Sequence, residues 1–226
     1  MNLILLWLKV HALVVLLIVA TIFSTLWLYR MREHLRLKLY IIPIITILHT
    51  VIGVLSVKAF AFLESGDFSN MSLFGGVFFM PLIYLIGAKL TKRSVVTVCD
   101  VFTPCMLFKL MCASINCIIS GCCTGLLIPG THLHFPTRAL EILYYILMLA
   151  LLLPRIQKNK TLGTAYPLYM LTYGLVRFCI EFMRTSTSPK LFHIGHLWAV
   201  VCFMIGFSIY ATLMEKIKKQ RRKNKG

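Results

Sequence analysis

Residues 3–28 read LILLWLKVHALVVLLIVATIFSTLWL, and this apolar run decides the fold class. It exceeds the roughly 20 residues that a helix needs to cross about 30 Å of hydrocarbon. It is also too long for the apolar core of a signal peptide, and no small-residue cleavage site follows it. We therefore expect a retained transmembrane helix at the start of the chain.

The rest of the chain shares this apolar character. Of its 226 residues, 59% are hydrophobic and only 14% are charged, whereas a typical soluble protein has about 25% charged residues. A soluble domain of this size could not bury so much apolar surface and keep a polar exterior. The composition indicates a polytopic membrane protein, and it excludes a soluble enzyme, a secreted disulfide scaffold and a disordered chain.

Six further apolar runs follow the first one. We predict seven spans, at residues 3–28, 39–63, 71–90, 95–120, 139–153, 164–182 and 192–214. The fifth is short, and it would need Arg138 and Arg155 to extend from its ends toward the lipid headgroups. The expected fold is an all-α membrane protein, a bundle of about seven transmembrane helices.

The basic residues alternate between the loops. Seventeen of the 24 Lys and Arg residues follow the first, third, fifth and seventh spans, whereas loops 64–70 and 121–137 contain none and loop 184–191 contains two. Because basic loops are retained in the cytoplasm, we expect the N-terminus outside and the C-terminus in the cytoplasm.

The formal net charge of +17 would in a soluble protein suggest nucleic-acid binding. Here the basic residues lie in short flanks between apolar spans, so we expect contact with anionic membrane lipid and no nucleic-acid partner. The loops are short. We therefore predict a single polytopic transmembrane domain over residues 1–214, followed by a basic cytoplasmic tail over residues 215–226.

Ionisable residues inside the spans point to function, because they are costly in hydrocarbon. Arg138 and Glu141 are three residues apart, and Arg177 and Glu181 are four apart. Each pair therefore lies on one helix face and can form an ion pair. Charge-paired packing without any chemistry is the alternative interpretation.

Lys58 and Lys109 are two more basic groups within the spans, so the basic groups outnumber the carboxylates. This surplus of positive charge predicts an anionic ligand. In a membrane the natural candidate is a phospholipid headgroup, because a guanidinium donates two parallel hydrogen bonds to a phosphate. Lys109 would add positive charge near the same cavity.

A cysteine pair, Cys122 and Cys123, precedes His132 and His134 by about ten residues. Such a set can bind zinc or copper, although it lacks the paired Cys-x-x-Cys spacing of common metal sites. A disulfide on the oxidising side of the membrane, a structural role and the lining of an active site are the other possibilities. No cofactor or metal is required by any of the readings that we favour.

Six short motifs follow one another along the chain: Leu73–Gly76, Cys99–Pro104, Ser114–Gly125, Pro136–Glu141, Tyr173–Arg184 and Ile194–Leu197. Their content and order resemble the prolipoprotein diacylglyceryl transferase family. Tyr173–Arg184, which reads YGLVRFCIEFMR, is similar to that family's Tyr-Gly…Arg-Phe…Glu-Phe…Arg pattern. The resemblance extends over roughly residues 50–215, and the family is also seven-helical with its N-terminus outside.

The resemblance implies an enzyme of the bacterial cytoplasmic (inner) membrane. It would transfer a diacylglyceryl group from phosphatidylglycerol to a cysteine thiol of a lipoprotein precursor peptide, releasing glycerol 1-phosphate. The implied catalytic residues are Arg177, which would clamp the phosphate, Tyr173 beside it, and Glu141. The implied substrate-binding residues are Arg138, Glu181, Arg184, Gly75, Gly76, Gly121, Cys122, Gly125 and His196.

Five positions depart from the family pattern. Ser114 replaces the signature arginine, Cys117 an asparagine, Cys122 a glutamate, Phe74 the histidine before Gly-Gly, and His196 a glutamine of the last helix. Two alternative functions therefore stay open. The chain could be a divergent non-catalytic member that binds lipid or a partner, or a metal or small-molecule transporter that uses the Cys/His cluster.

An acceptor thiol has to lose its proton before it attacks, so the reaction needs a general base or a lowered thiol pKa. Histidine is the usual side chain for this step. His132, His134 and His196 are expected near the outer face and are the candidates. The sequence favours none of the three.

Overall fold

The computed structural model describes residues 3–67, 71–90, 92–121, 125–128, 130–161, 163–184 and 192–223. Within these ranges the backbone forms eight α-helices. They are α1 (Leu3–Arg30), α2 (Arg32–Leu35), α3 (Ile41–Ser65), α4 (Phe74–Leu90), α5 (Val95–Ser120), α6 (Thr137–Gln157), α7 (Ala165–Glu181) and α8 (Ile194–Lys223). The predicted all-α architecture is confirmed.

Each of the seven predicted apolar runs coincides with a helix, and only the single turn α2 has no counterpart among them. Five helices, α1, α3, α5, α6 and α8, are long and apolar enough to cross a membrane. The other two, α4 and α7, have 17 residues each, slightly fewer than a full crossing needs. A helical membrane bundle is therefore supported, and seven crossings stay a prediction.

The α6 helix is longer than the apolar run that predicted it. It has 21 residues, because polar residues at both ends continue the helix. Arg138 is only 8% exposed and is paired with Glu141. The expectation that Arg138 extends toward the headgroups is therefore wrong, since a carboxylate one turn away compensates its charge inside the bundle.

The helix α5 lies at the centre of the bundle. It packs against α1, α4, α6 and α7, and 56% of its most apolar 18-residue window is buried. Large apolar residues of α1, α3 and α8 are exposed instead, among them Leu26, Leu63 and Phe207. Helices of a membrane bundle present such side chains to lipid.

Asp100 of α5 fixes the beginning of α7. Its carboxylate accepts hydrogen bonds from the Thr161 hydroxyl at 2.5 Å, the Gly163 N–H at 2.7 Å and the Ala165 N–H at 3.0 Å. A helix start has unsatisfied N–H groups, and a carboxylate there also interacts favourably with the helix dipole. Asp100 thus anchors α7, the helix that carries Tyr173, Arg177 and Glu181.

The middle of α7 is positioned by its packing against α8. A Cβ atom on Gly174 would lie 2.6 Å from the Phe203 nitrogen and 2.7 Å from the Ala199 oxygen. Only glycine lets the two backbones approach this closely. The helix α8 continues without a break past Met214 to Lys223, so residues 215–223 of the predicted tail are helical.

Candidate active site

Five charged residues form one continuous chain of ion pairs, which we call the Arg–Glu network: Arg138 and Glu141 of α6, Arg177 and Glu181 of α7, and Arg184 just after α7. The guanidinium of Arg177 pairs with Glu141 and, at 2.9 Å, with Glu181. Arg138 approaches Glu141 at 2.5 Å, and Arg184 approaches Glu181 at 3.1 Å. Both predicted intrahelical pairs are present, and the Arg177–Glu141 pair joins them across two helices.

The Arg–Glu network is buried and carries a formal charge of +1, from three guanidinium groups and two carboxylates. Four of its members are at most 8% exposed. Buried charges persist only where they are paired and hydrogen-bonded. The Nε of Arg177 is buried and has no hydrogen-bond partner among the described residues. The network therefore keeps both a positive charge and an unused donor for an anionic ligand.

The network lies at a cavity of about 270 Å³. Its charged and imidazole lining residues are Glu64, Arg138, Arg177, Glu181, Arg184 and His193. The lining comes from the end of α3, the beginnings of α4, α6 and α8, and the end of α7. These five helix ends meet at one end of the bundle, opposite the basic end of α1.

Phe74 covers one side of the Arg177 guanidinium. The Cζ of Arg177 lies 5.6 Å from the centre of the Phe74 ring, a cation–π geometry. Phe74 stands where the resemblance implies a histidine, so this side of the cavity is apolar. Tyr173 does not line the cavity. It is 1% exposed, and its ring lies 6.0 Å from that of Phe74.

Ser114 contacts the Arg–Glu network from α5, although it lacks the charge of the arginine that the family signature has there. It is fully buried, and its hydroxyl donates a hydrogen bond to the Glu141 carboxylate at 3.1 Å. Cys117 is half-buried near the end of α5. Cys122 and Cys123 lie outside the described residues, so their proposed roles stay predictions.

The predicted glycines lie at helix contacts and turns. A Cβ on Gly75 would be 2.7 Å from the Phe60 Cβ of α3, and one on Gly76 would be 3.3 Å from Leu110 of α5. Neither glycine lines the cavity. Gly121 ends α5 with a positive φ of 68°, and Gly125 pairs with Arg184 in an isolated β-bridge. This bridge ties the segment after α5 to the end of α7 and so helps to position Arg184.

The structure does not bring the three candidate histidines to the cavity. His196 is 2% exposed, and its ring packs edge-on against Phe178 and Phe182. His132 and His134 are exposed, and His134 Nδ1 lies 2.8 Å from the Gly125 carbonyl oxygen.

The histidine that does line the cavity is His193, whose Nε2 lies 3.1 Å from a Glu181 oxygen. The sequence places His193 at the start of the last span on the outer side, but not among the candidate bases, because it precedes the last family motif. Its only sequence signal is its position three residues before His196 at the start of α8.

Lys109 contributes to a different part of the bundle. Its ammonium hydrogen-bonds with His49 Nδ1, and His49 Nε2 lies 2.8 Å from the Tyr84 hydroxyl. Lys109 and His49 line a separate, mostly apolar cavity between α1, α3, α4 and α5. The expectation that Lys109 adds charge to the same cavity as Arg177 is therefore wrong, because its side chain leaves α5 on another face.

A metal site finds no support in the described residues. Within them, no group of three or more His, Cys, Asp or Glu side chains is placed to hold a metal ion. The cysteine pair that suggested zinc or copper lies outside these residues. The metal and disulfide readings of that pair stay untested.

The sequence profile of the family described as prolipoprotein diacylglyceryl transferase matches residues 4–212. The chain belongs to this family. The resemblance that the six motifs suggested is thereby confirmed, and the match contains the whole Arg–Glu network.

Two curated relatives carry the same family name. The chain is 24% identical over 135 residues to phosphatidylglycerol–prolipoprotein diacylglyceryl transferase 2 of Clostridium perfringens (strain 13 / Type A), which covers 53% of each protein. It is 22% identical over 163 residues to phosphatidylglycerol–prolipoprotein diacylglyceryl transferase of Clostridium tetani (strain Massachusetts / E88), which covers 66% of this chain and 65% of the relative. The matches thus span between about half and two thirds of the relatives' lengths.

Proposed function

We propose that this chain transfers the diacylglyceryl group of phosphatidylglycerol to a cysteine thiol of a lipoprotein precursor, with glycerol 1-phosphate as the leaving group. The observation that carries the proposal is the cavity lined by the buried Arg–Glu network in a member of this family. The names of both curated relatives state phosphatidylglycerol and prolipoprotein, which supports the same two substrates here.

The Arg–Glu network suits the departure of a phosphate. As the bond between the glyceryl carbon and the phosphate oxygen breaks, negative charge develops on the leaving group. Fixed cationic donors in a water-poor site stabilise such charge strongly, because they need no reorganisation when the charge appears. Glu141 and Glu181 hold the Arg177 guanidinium from two sides, so its orientation is set before the lipid binds.

Phosphatidylglycerol would enter with its headgroup toward Arg177 and its acyl chains among the helices. Arg184 is suited to assist, since its side chain is 23% exposed and its ion pair with Glu181 uses only Nη1. Among the described residues no other contact uses the remaining guanidinium hydrogens of Arg184, which suit phosphate oxygens. Phe74 and Leu73 supply the apolar wall on which the glyceryl backbone would lie.

The proposed topology places this cavity on the outer side of the bacterial cytoplasmic membrane, in a multi-pass protein of seven spans with its N-terminus outside. Loop charges support this orientation. The cavity lies at the end of the bundle opposite the basic end of α1 and the Lys- and Arg-rich end of α8. Residues 1–214 would form the membrane domain and residues 215–226 the cytoplasmic tail.

The test reconstitutes the purified protein in vesicles of phosphatidylglycerol, with vesicles of phosphatidylcholine as the lipid control. A lipoprotein-precursor peptide that contains the acceptor cysteine is the second substrate. Mass spectrometry follows the gain of a diacylglyceryl group on this peptide. Arg177→Lys keeps the charge but loses the planar fork, so transfer should fall by about 100-fold or more. Arg155→Lys, the same exchange at an exposed position near the other end of α6, should leave transfer unchanged.

Full activity of Arg177→Lys would remove Arg177 from the phosphate site. No transfer by a correctly folded wild-type protein would favour the non-catalytic lipid-binding alternative. Transfer that is equal in the two kinds of vesicle would contradict phosphatidylglycerol as the donor.

A further inference from the structure

The imidazole of His193 has a defined partner at the cavity. His193 directly precedes α8, and its Nε2 lies 3.1 Å from Oε1 of Glu181. Glu181 also pairs with Arg177 and Arg184, and this double pairing favours its ionised, hydrogen-bond-accepting form. The carboxylate therefore orients the ring and favours the tautomer that carries its proton on Nε2.

This tautomer leaves Nδ1 of His193 with a free lone pair. The Nδ1 atom is buried and has no hydrogen-bond partner within the described residues. Buried polar atoms of a native protein are nearly always satisfied, so an unsatisfied one on a residue that lines a cavity requires an explanation. An S–H group of a bound substrate would satisfy it.

The other groups at the cavity are less suited to accept a thiol proton. Arg138, Arg177 and Arg184 stay protonated at any physiological pH. Glu181 already accepts from two guanidinium groups. Glu64 faces the cavity from the end of α3, and a carboxylate is ordinarily a weaker base than an imidazole.

His196 is the nearest second imidazole. The two rings are edge-to-face with centroids 4.5 Å apart, and the His193 N–H donates to His196 Nδ1 at 3.4 Å. The His196 ring also contacts the rings of Phe178, Phe182 and Phe192, so it packs in an aromatic cluster that stabilises the start of α8. His193 is the member of the pair that lines the cavity.

We propose that His193, oriented by Glu181, is the general base that activates the acceptor thiol; this inference rests on the proposed transferase function. Nδ1 of His193 takes the thiol proton. The thiolate sulfur attacks the glyceryl carbon, the C–S bond forms, and the C–O bond to the phosphate breaks with its electron pair on oxygen. The charge developing on glycerol 1-phosphate is met by Arg177, and the imidazolium then returns its proton to the departing phosphate.

The arrangement resembles a catalytic triad, in which a carboxylate orients an imidazole and the imidazole activates a nucleophile. Here these groups are Glu181, His193 and the acceptor thiol. It also gives the cavity a base although Phe74 stands at the position where the resemblance implies a histidine. The imidazole would reach the thiol from the α8 side of the cavity, whereas Phe74 belongs to α4.

The test compares two acceptor peptides in phosphatidylglycerol vesicles, one with a cysteine and one with a selenocysteine at the same position. A selenol is already ionised at neutral pH, so it needs no base. His193→Gln can still donate to Glu181 but cannot take a proton. We expect its transfer to the thiol to fall by about 100-fold or more and its transfer to the selenol to stay within a few-fold of wild type.

His132→Gln, an exposed histidine away from the cavity, is the matched control and should behave as wild type with both peptides. In a second variant, His193→Gly, added free imidazole should restore transfer to the thiol. Equal activity of wild type and His193→Gln on the thiol would overturn the role of His193. So would an equal loss on both peptides in a variant that melts at the wild-type temperature. Wild-type protein inactive on both peptides would instead overturn the transferase function itself.

Discussion

Glu141→Gln is the substitution that most directly probes the Arg–Glu network. Glutamine has nearly the shape of glutamate, and its carbonyl oxygen can still accept the hydrogen bond from Ser114. The change removes one negative charge between Arg138 and Arg177, whose guanidinium groups both contact this carboxylate. The formal charge of the network then rises from +1 to +2 at a site where Glu141 is only 1% exposed.

The expected effect on stability is large, because a buried charge left without its partner is costly. Breaking one buried ion pair typically lowers the free energy of unfolding by about 3–5 kcal/mol. We expect Glu141→Gln to fall in that range. The double variant Glu141→Gln with Arg138→Gln returns the network to +1, so it should be more stable than Glu141→Gln alone by 1 kcal/mol or more, roughly the size of coupling between contacting residues.

The assay is equilibrium unfolding in mixed micelles, followed by tryptophan fluorescence. Glu215→Gln, the same exchange at an exposed position of α8, is the control and should change stability by no more than about 0.5 kcal/mol. A loss below about 1 kcal/mol for Glu141→Gln would refute a buried, charge-coupled network. A double variant that is less stable than either single variant would refute the charge-balance reasoning.

Two further predictions concern the packing that positions the site. Asp100→Asn weakens three hydrogen bonds to the start of α7. Because bonds to a charged acceptor contribute about 1.5–3 kcal/mol each, we expect the free energy of unfolding to fall by about 2–4 kcal/mol in the same assay. Wild-type stability would contradict the anchoring role of Asp100. Gly75→Ala should destabilise by about 1–3 kcal/mol, because its Cβ would lie 2.7 Å from the Phe60 Cβ. Gly87→Ala in the same helix introduces a Cβ that meets no atom within 4 Å, so helix propensity should raise the stability by up to about 1 kcal/mol. Equal effects of Gly75→Ala and Gly87→Ala on stability would contradict the close α3–α4 contact.

Hydropathy was sufficient to predict the helices, because the spans of a membrane bundle are set by chain length in hydrocarbon more than by specific contacts. Hydropathy did not predict where every helix begins and ends. The α6 helix extends beyond its apolar run because Arg138 is neutralised by Glu141 within the same helix. A hydropathy average over consecutive residues does not detect this local charge compensation, because it registers only how apolar the residues are.

Within the site, spacing along one helix was enough to predict the Arg138–Glu141 and Arg177–Glu181 pairs. The Arg177–Glu141 pair and the three bonds to Asp100 join different helices. They depend on how each helix is rotated about its axis, which the sequence does not specify.

The unknown rotation of the helices also explains two errors: Lys109 was expected at the cavity of Arg177, and His193 was not expected to line it. Lys109 and Ser114 are five residues apart on α5, more than one turn, so one contacts His49 and the other Glu141. His193 lies just outside the last motif, and only the packing of α8 against α7 brings it to Glu181. A resemblance can identify positions that match a pattern, but it cannot identify a residue that acts from a new position.

The measurement that tests the proposed transfer most directly follows both products in one reaction. Wild-type protein, phosphatidylglycerol and the cysteine peptide are incubated together, and released glycerol phosphate and modified peptide are quantified at each time point. The proposed transfer predicts equal amounts of the two products throughout, with both lost in Arg177→Lys. Release of glycerol phosphate without a mass gain on the peptide, or no release by the folded protein, would contradict it.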